Sequence, residues 1–172
     1  MTLDTTVGGA SSDSYASVAG FKTYSSSMGW TVTGADADLE PHMRRAAVFL
    51  DREYQFLGTK KTSSQARAWP RTVNETDPDG FSIPSDSIPL PIIYAQYELA
   101  YLIYEGHDLL EFKSGAEIKR EKKKVGPIEK ETEYAAGSGS EPRVRAVEGL
   151  LRGYIVGGQP GESVRTARLA RG

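Results

Sequence analysis

Ile88-Pro89-Leu90-Pro91-Ile92-Ile93-Tyr94-Ala95-Gln96-Tyr97-Glu98-Leu99-Ala100-Tyr101-Leu102-Ile103-Tyr104-Glu105-Gly106 is the stretch that decides the fold. Prolines precede it and a glycine closes it, which marks a helix entry and a helix exit. Ile92, Ala95, Leu99 and Ile103 repeat on one helical face, and Ile93, Tyr97, Ala100 and Tyr104 make a second. A helix apolar over so much of its circumference is buried on several sides. The spacing therefore predicts a central core helix. Glu98, next to Gln96, is expected on its thin polar strip, exposed to water.

Three further helices are predicted around it. One starts at Ser17 as N-cap, turns Val18, Phe21, Tyr24 and Met28 inward, and stops at Gly29. In the second, Gly34-Ala35-Asp36-Ala37-Asp38 carries the cap and Pro41 is tolerable in the first turn. Its Met43, Ala46, Ala47, Leu50 and Tyr54 recur at helical spacing. Pro142 opens the last, with Val144, Val147, Leu150, Leu151 and Tyr154 inward. The fold class is mainly α: a small four-helix domain with a β-hairpin or extended ribbon and flexible N- and C-terminal arms. The expected boundaries are a flexible arm over 1–13, a helical domain over 14–156 that includes a ribbon at 117–134, and a tail over 157–172.

The ribbon rests on Lys122-Lys123-Lys124-Val125-Gly126-Pro127-Ile128-Glu129-Lys130-Glu131-Thr132-Glu133-Tyr134. A basic arm runs into a Gly-Pro break and emerges as an acidic arm. Side chains alternate along a strand, so Lys122 and Lys124 share a face, as do Glu129, Glu131 and Glu133. Opposite charges on paired strands attract across the ladder. Such a ribbon has little apolar surface and is not stable alone, so it should lie against its own domain or a neighbouring subunit. The competing reading is a solvated charged loop.

At 172 residues, with 38% hydrophobic residues, 18 glycines and nine prolines, the chain suits one domain with a modest core and long connections. A net charge of −2 and a pI near 5.8 argue against a dedicated duplex-DNA binder. No cysteine is present, which removes disulfides, thiolate metal sites and a cysteine nucleophile. The N-terminal residues lack the basic and apolar regions of a signal peptide, and no apolar run approaches the ~20 residues of a membrane span. A soluble protein made in a cytoplasm is expected, with no membrane partner.

Residues 58–87 read as irregular. In Ala68-Trp69-Pro70-Arg71, proline holds Trp69 extended, and a large aromatic in a long loop is read as an anchor that staples the loop to the bundle. An interface or base-stacking role is the competing reading. Asp77-Pro78-Asp79-Gly80 begins like a calcium loop, but the glutamate required at the twelfth position would fall at Ile88. It is read as a turn.

No catalytic constellation emerges. His42 and His107, the two histidines, lie on different predicted helices without a second ligand at metal-binding spacing. His42 is expected at the surface, and His107 follows a helix end that favours a cation. There is no Gly-x-Ser-x-Gly elbow, P-loop or dinucleotide fingerprint. Neither an enzyme, a cofactor nor a metal is expected. Tyr94, Tyr97, Tyr101 and Tyr104 recur at helical spacing and read as core or interface rather than a base-stacking row.

In the tail, Arg165, Arg168 and Arg171 recur every third residue, with Leu169 among them. The spacing places the arginines along one side of a short helix or three-fold extended segment, with Leu169 as anchor. A frayed tail and a phosphate-touching tail are the alternatives to a docking arm.

An ordered set of landmarks resembles a family of tailed-phage proteins. It comprises Ser14-Tyr15-Ala16-Ser17-Val18, Arg45-Ala46 to Leu50-Asp51, Ala68-Trp69-Pro70-Arg71 and Ile83-Pro84 to Ile88-Pro89. It continues with Ala95-Gln96-Tyr97-Glu98-Leu99-Ala100, Lys124-Val125-Gly126-Pro127-Ile128 and Val147-Glu148-Gly149-Leu150-Leu151, and spans roughly 14–155. The family is described as DnaT-like single-stranded-DNA-binding proteins, and its members look like head–tail adaptors, also called head-completion or connector proteins. At Gly20 this chain departs from a glutamate that in the family completes a capping box with Ser17. The resemblance implies a small helical adaptor domain and a ring of twelvefold symmetry between portal and tail. Its partners would be other copies of itself, the portal protein and a tail, stopper or tail-terminator protein. Genomic DNA would pass through the lumen without specific binding. The location implied is the virion neck, after synthesis in the bacterial cytoplasm. Lys122, Lys124, Glu129, Glu131 and Glu133 are the candidate subunit contact, and Arg165, Arg168, Leu169 and Arg171 the candidate portal contact.

Overall fold

The computed structural model describes residues 2–107, 109 and 146–157 in full, and 121–125, 128–132 and 142–145 as backbone elements. Four helices are present: α1 Val18–Ser27, α2 Asp36–Glu53, α3 Leu90–Tyr104 and α4 Pro142–Leu151. Two short antiparallel pairs join them, β1 Thr59–Lys60 with β2 Arg71–Thr72, and β3 Glu121–Val125 with β4 Ile128–Thr132. The domain is mainly α, as read from the sequence.

α3 is the axis. It packs against α1, α2 and α4, and every residue from Ala95 to Ile103 is buried. With three helices around it, no face of α3 is left to water over that stretch. α2 turns Leu39, Met43, Ala46, Ala47 and Leu50 toward it, and α4 contributes Val147 and Leu151. The α1 stripe is Val18 and Phe21, with Tyr24 half-buried; Met28 caps the helix and is exposed, contrary to its expected inward position.

Local signals explain the ends. Ser17 Oγ accepts from the Gly20 N–H at 3.2 Å. The first and third helices close with the same motif. Gly29 (φ +75°) and Gly106 (φ +93°) take the left-handed conformation that a side chain disfavours. The following N–H groups, of Trp30 and His107, return to the carbonyls of Ser25 and Leu102 at 2.8 and 3.1 Å. In α2, Ala35 occupies the N-cap, and its N–H donates to the Asp38 carboxylate at 3.3 Å. Pro41 lies beyond the first turn, contrary to expectation. It removes the bond that would reach Ala37 and is exposed on the outer side of the helix.

Residues 2–13 are tied to the domain rather than free of it, which corrects the reading of 1–13 as an arm. The Asp4 carbonyl accepts from the N–H groups of Asp13 and Ser14 at 2.8 and 3.2 Å. The Asp4 carboxylate takes the Thr6 N–H at 2.9 Å and the Ser11 hydroxyl at 2.8 Å, and these bonds hold its pKa down. The Gly9 carbonyl accepts from Ala66 at 3.0 Å, and Arg44 of α2 donates to Asp13 at 2.9 Å. Thr/Ser/Asp composition here means a hydrogen-bonded turn, since these side chains satisfy their own backbone.

Residues 55–57 run beside 154–156: Leu57 donates to Tyr154 at 2.9 Å and Val156 to Gln55 at 2.7 Å. The turn at Asp77-Pro78-Asp79-Gly80 is closed by the Asp77 carboxylate, which accepts from Asp79 and Phe81 at 3.0 and 2.8 Å. No described helix is long and apolar enough to cross a membrane. The tail from 158 onward lies outside the described residues.

Candidate functional site

The loop between α2 and α3 is organised by three side chains. Trp69 is 1% exposed, with its ring edge-on to Phe56 at 5.8 Å and to Tyr154 at 6.1 Å. It thereby joins the loop to the segments flanking α2 and α4. Arg71 donates to the carbonyls of Leu57 (2.6 Å), Ala68 (3.2 Å), Phe56 (3.3 Å) and Gly58 (2.6 Å). Burial pushes its guanidinium pKa down, and the nearby Tyr15 and Asp51 oppose that shift. Gln65, 3% exposed, donates to the Arg67 and Pro70 carbonyls at 3.0 and 2.9 Å and accepts from Thr62 at 3.0 Å. The Trp69–Pro70 peptide is cis.

Gln96 and Glu98 of α3 sit inside the helical core. Gln96 is fully buried: its Oε1 accepts from the Tyr15 N–H at 3.1 Å, and its Nε2 donates to Ser14 Oγ at 2.6 Å and to the Met43 carbonyl at 2.8 Å. Glu98 is 7% exposed and accepts from the Tyr24 hydroxyl at 2.8 Å. This corrects the expectation of an exposed Glu98; α1 covers that side of α3. Tyr15 donates to Asp51, which also faces Arg67 at 3.4 Å. Burial pushes the Tyr15 phenol well above its ordinary value and raises Asp51. These networks join distant segments and hold the domain in one arrangement.

The tyrosine-rich face is occupied by its own rings. Tyr24 stacks on Tyr94 at 5.0 Å, Trp30 on Tyr101 at 4.2 Å, and Tyr101 on Tyr104 at 6.1 Å. His42 stands edge-on to Tyr104 at 6.0 Å and is half-buried, deeper than a free surface position. Phe81 is the exception, 70% exposed on the Asp77 turn.

Two charged features stand apart from the core. In the ribbon, Lys122 is the register partner of Glu131 and Lys124 of Glu129; Lys123 pairs with Lys130 and Val125 with Ile128. The basic and acidic arms are therefore the two strands of one hairpin. Glu133, Arg165, Arg168, Leu169 and Arg171 lie outside the described residues. The second feature is a cleft of ≈ 610 Å³ between the C-terminal half of α2 and the end of α3. Val48, Phe49, Ile103 and Leu109 give it an apolar lining. Arg44, Arg45, Arg52 and His107 surround that lining, with Glu53 among them.

Sequence reasoning singled out Trp69 in this loop but passed over Arg71 and Gln65, and it missed the cleft. Gln96 was detectable: Ile92, Ile93, Leu99 and Ala100 stand three and four positions away, so helical periodicity alone puts it in the core. The cleft had no such signal, because it forms only where two helices meet. Among the described residues, no group of three or more His, Cys, Asp or Glu side chains is gathered to hold a metal.

The described residues define a small mainly α domain whose aromatics, Phe81 apart, are turned inward. The chain belongs to the family described as "Putative DnaT-like ssDNA binding protein", whose model matches residues 1–171. No curated protein and no solved structure matches it. The family description names single-stranded DNA as ligand and does not mention a phage neck.

Proposed function

We propose that this protein is a structural, non-enzymatic head–tail adaptor of a tailed bacteriophage. It would be made in the host cytoplasm and incorporated in the virion neck. Copies form a ring of twelvefold symmetry between the portal and a tail, stopper or terminator protein, and DNA passes through without specific binding. The observation that carries this reading over strand binding is the packing of the aromatics. A base-stacking surface needs open ring faces beside cations. Here Tyr24, Trp30, Tyr94 and Tyr101 stack on one another. The net charge of −2 also suits a channel along which phosphate slides without sticking. The landmarks of the phage family and the opposite-charged ribbon support assembly through copies of one chain, where heterologous contacts close a ring.

In this reading Lys122, Lys124, Glu129, Glu131 and Glu133 form the subunit contact. Arg165, Arg168, Leu169 and Arg171 dock on an acidic surface of the portal. Electron microscopy of purified virions tests the location, and a neck without this protein rejects the proposal. Reversing the three glutamates to lysine is expected to leave the monomer stable, since exposed pairs contribute ~0–1 kcal/mol, and to block virion completion. Deleting residues 160–172 is expected to leave the domain folded and abolish attachment to filled heads.

The family description favours a second reading, single-stranded-DNA binding. It requires saturable binding of an oligothymidylate that weakens steeply with salt. Absence of such binding at low salt removes it.

A further inference from the structure

The cleft between α2 and α3 is not used by the reading above. Its apolar lining, Val48, Phe49, Ile103 and Leu109, is bordered by more cations than anions. Arg44 is engaged by Asp13 and Glu40, at 2.9 and 3.0 Å. Arg45 and Arg52 are exposed, and among the described residues neither has an ion-pair partner. They stand two helical turns apart, ~10.5 Å along the axis.

An acidic strand offers carboxylates over a similar span. Glutamates at alternate strand positions lie ~7 Å apart on one face, so three of them span ~13 Å. This chain carries such a strand: Glu129 and Glu131 lie in β4, with Glu133 next in the alternation and Ile128 and Tyr134 as apolar neighbours. Lys124 and Lys122 stand at the opposing register positions. A carboxylate accepts about four hydrogen bonds, so a cross-strand lysine leaves room for an arginine.

We propose that the arginine-rimmed cleft receives the acidic strand of the ribbon from a second copy of this chain. Arg45 and Arg52 take the glutamates, which share one face of the strand. The contact is heterologous, cleft to ribbon, so a pair keeps a free ribbon on one copy and a free cleft on the other, and further copies can add until a ring closes. This rests on the adaptor reading in that copies must meet side by side. A nucleic-acid strand fits the cleft less well. Phe49 is buried and edge-on to Tyr54, so it offers no open face to a base.

The test uses a fluorescein-labelled peptide of residues 127–135 titrated with the full chain, followed by anisotropy. Saturable binding is expected, weakened about tenfold or more by Arg45→Glu with Arg52→Glu, since two charge-assisted contacts become repulsive. A peptide carrying Glu129→Lys, Glu131→Lys and Glu133→Lys should bind the reversed chain and not the wild type. Both arginines are exposed, and a thermal melt verifies that the variant folds. No peptide binding to the wild-type chain overturns the proposal, as does binding that the arginine reversal leaves unchanged. An oligothymidylate that displaces the peptide and loses affinity with the same substitutions also overturns it, in favour of a nucleic-acid site. Peptide binding is independent of virion location, so failure here leaves the neck assignment standing, and an empty neck leaves this measurement standing.

Discussion

The hydroxyl of Tyr24 on α1 donates a 2.8 Å hydrogen bond to the carboxylate of Glu98 on α3, across 74 positions of sequence. Glu98 is 7% exposed, so a carboxylate at the centre of the core helix depends on a phenol from its neighbour. Tyr24→Phe removes that donor while keeping the ring stack. The expected cost is about 1–3 kcal/mol, because a buried acceptor loses its partner. Glu98→Gln should cost less, since an amide oxygen still accepts from Tyr24. Urea denaturation of the two variants checks the order; a larger loss for Glu98→Gln contradicts it.

Alkaline pH should weaken the fold through the same tyrosines. Burial, and then the Glu98 bond, raise the Tyr24 phenol; burial likewise raises Tyr97, and raises Tyr15 strongly. A folded pKa above the unfolded one means that the native state holds the proton longer. The stability is fully present below the unfolded value near ~10 and is lost as pH rises through the folded one. Thermal melts from neutral to strongly alkaline pH should show a falling midpoint, with a shallower fall in Tyr24→Phe. A Tyr24→Phe profile as steep as that of the wild type removes Tyr24 from the account.

Leu99 is fully buried at the centre of α3, against the helices that surround it. Leu99→Ala should cost about 2–5 kcal/mol by leaving a cavity that rigid neighbours cannot fill. An unchanged denaturation midpoint would show that α3 is not the core.

Arg71 is the loop's main donor. Arg71→Ala leaves the carbonyls of Leu57, Phe56, Gly58 and Ala68 without it and should lower stability by roughly 2–4 kcal/mol. Arg71→Lys should recover only part, since an ammonium lacks the planar fork. In a Trp30→Phe background, Trp69 should emit at short wavelength and resist quenching, and Arg71→Ala should shift that emission to the red. Red emission before the substitution would place Trp69 in water.

Gly153 lies where the Asp77 turn meets the end of α4, and a Cβ there would overlap the Pro78 ring. Gly153→Ala should lower stability by about 1–3 kcal/mol through overpacking, and Pro78→Ala in the same chain should recover part of it. Additive losses would mean that the two residues do not compete for the space.

What the sequence determined by itself is what repeats locally. Helical periodicity located α3 and α2, and the Ser17 cap, Gly29 and Gly106 set helix ends within a residue or two, because a cap acts over a single turn. The polarity switch at Gly126-Pro127 is a nearest-neighbour pattern, and β3 and β4 pair across it. Tertiary structure alone decided which polar groups are inside. Glu98 is buried because α1 lies over it, and Gln96 is satisfied by Tyr15, 81 positions away. It also held residues 2–13 against the domain through Asp4 and Arg44, and built the cleft from arginines on α2 and apolar groups at the end of α3. The physical reason is that periodicity reports the average polarity of a face, whereas a buried polar group depends on one particular partner, and folding brings that partner from far along the chain.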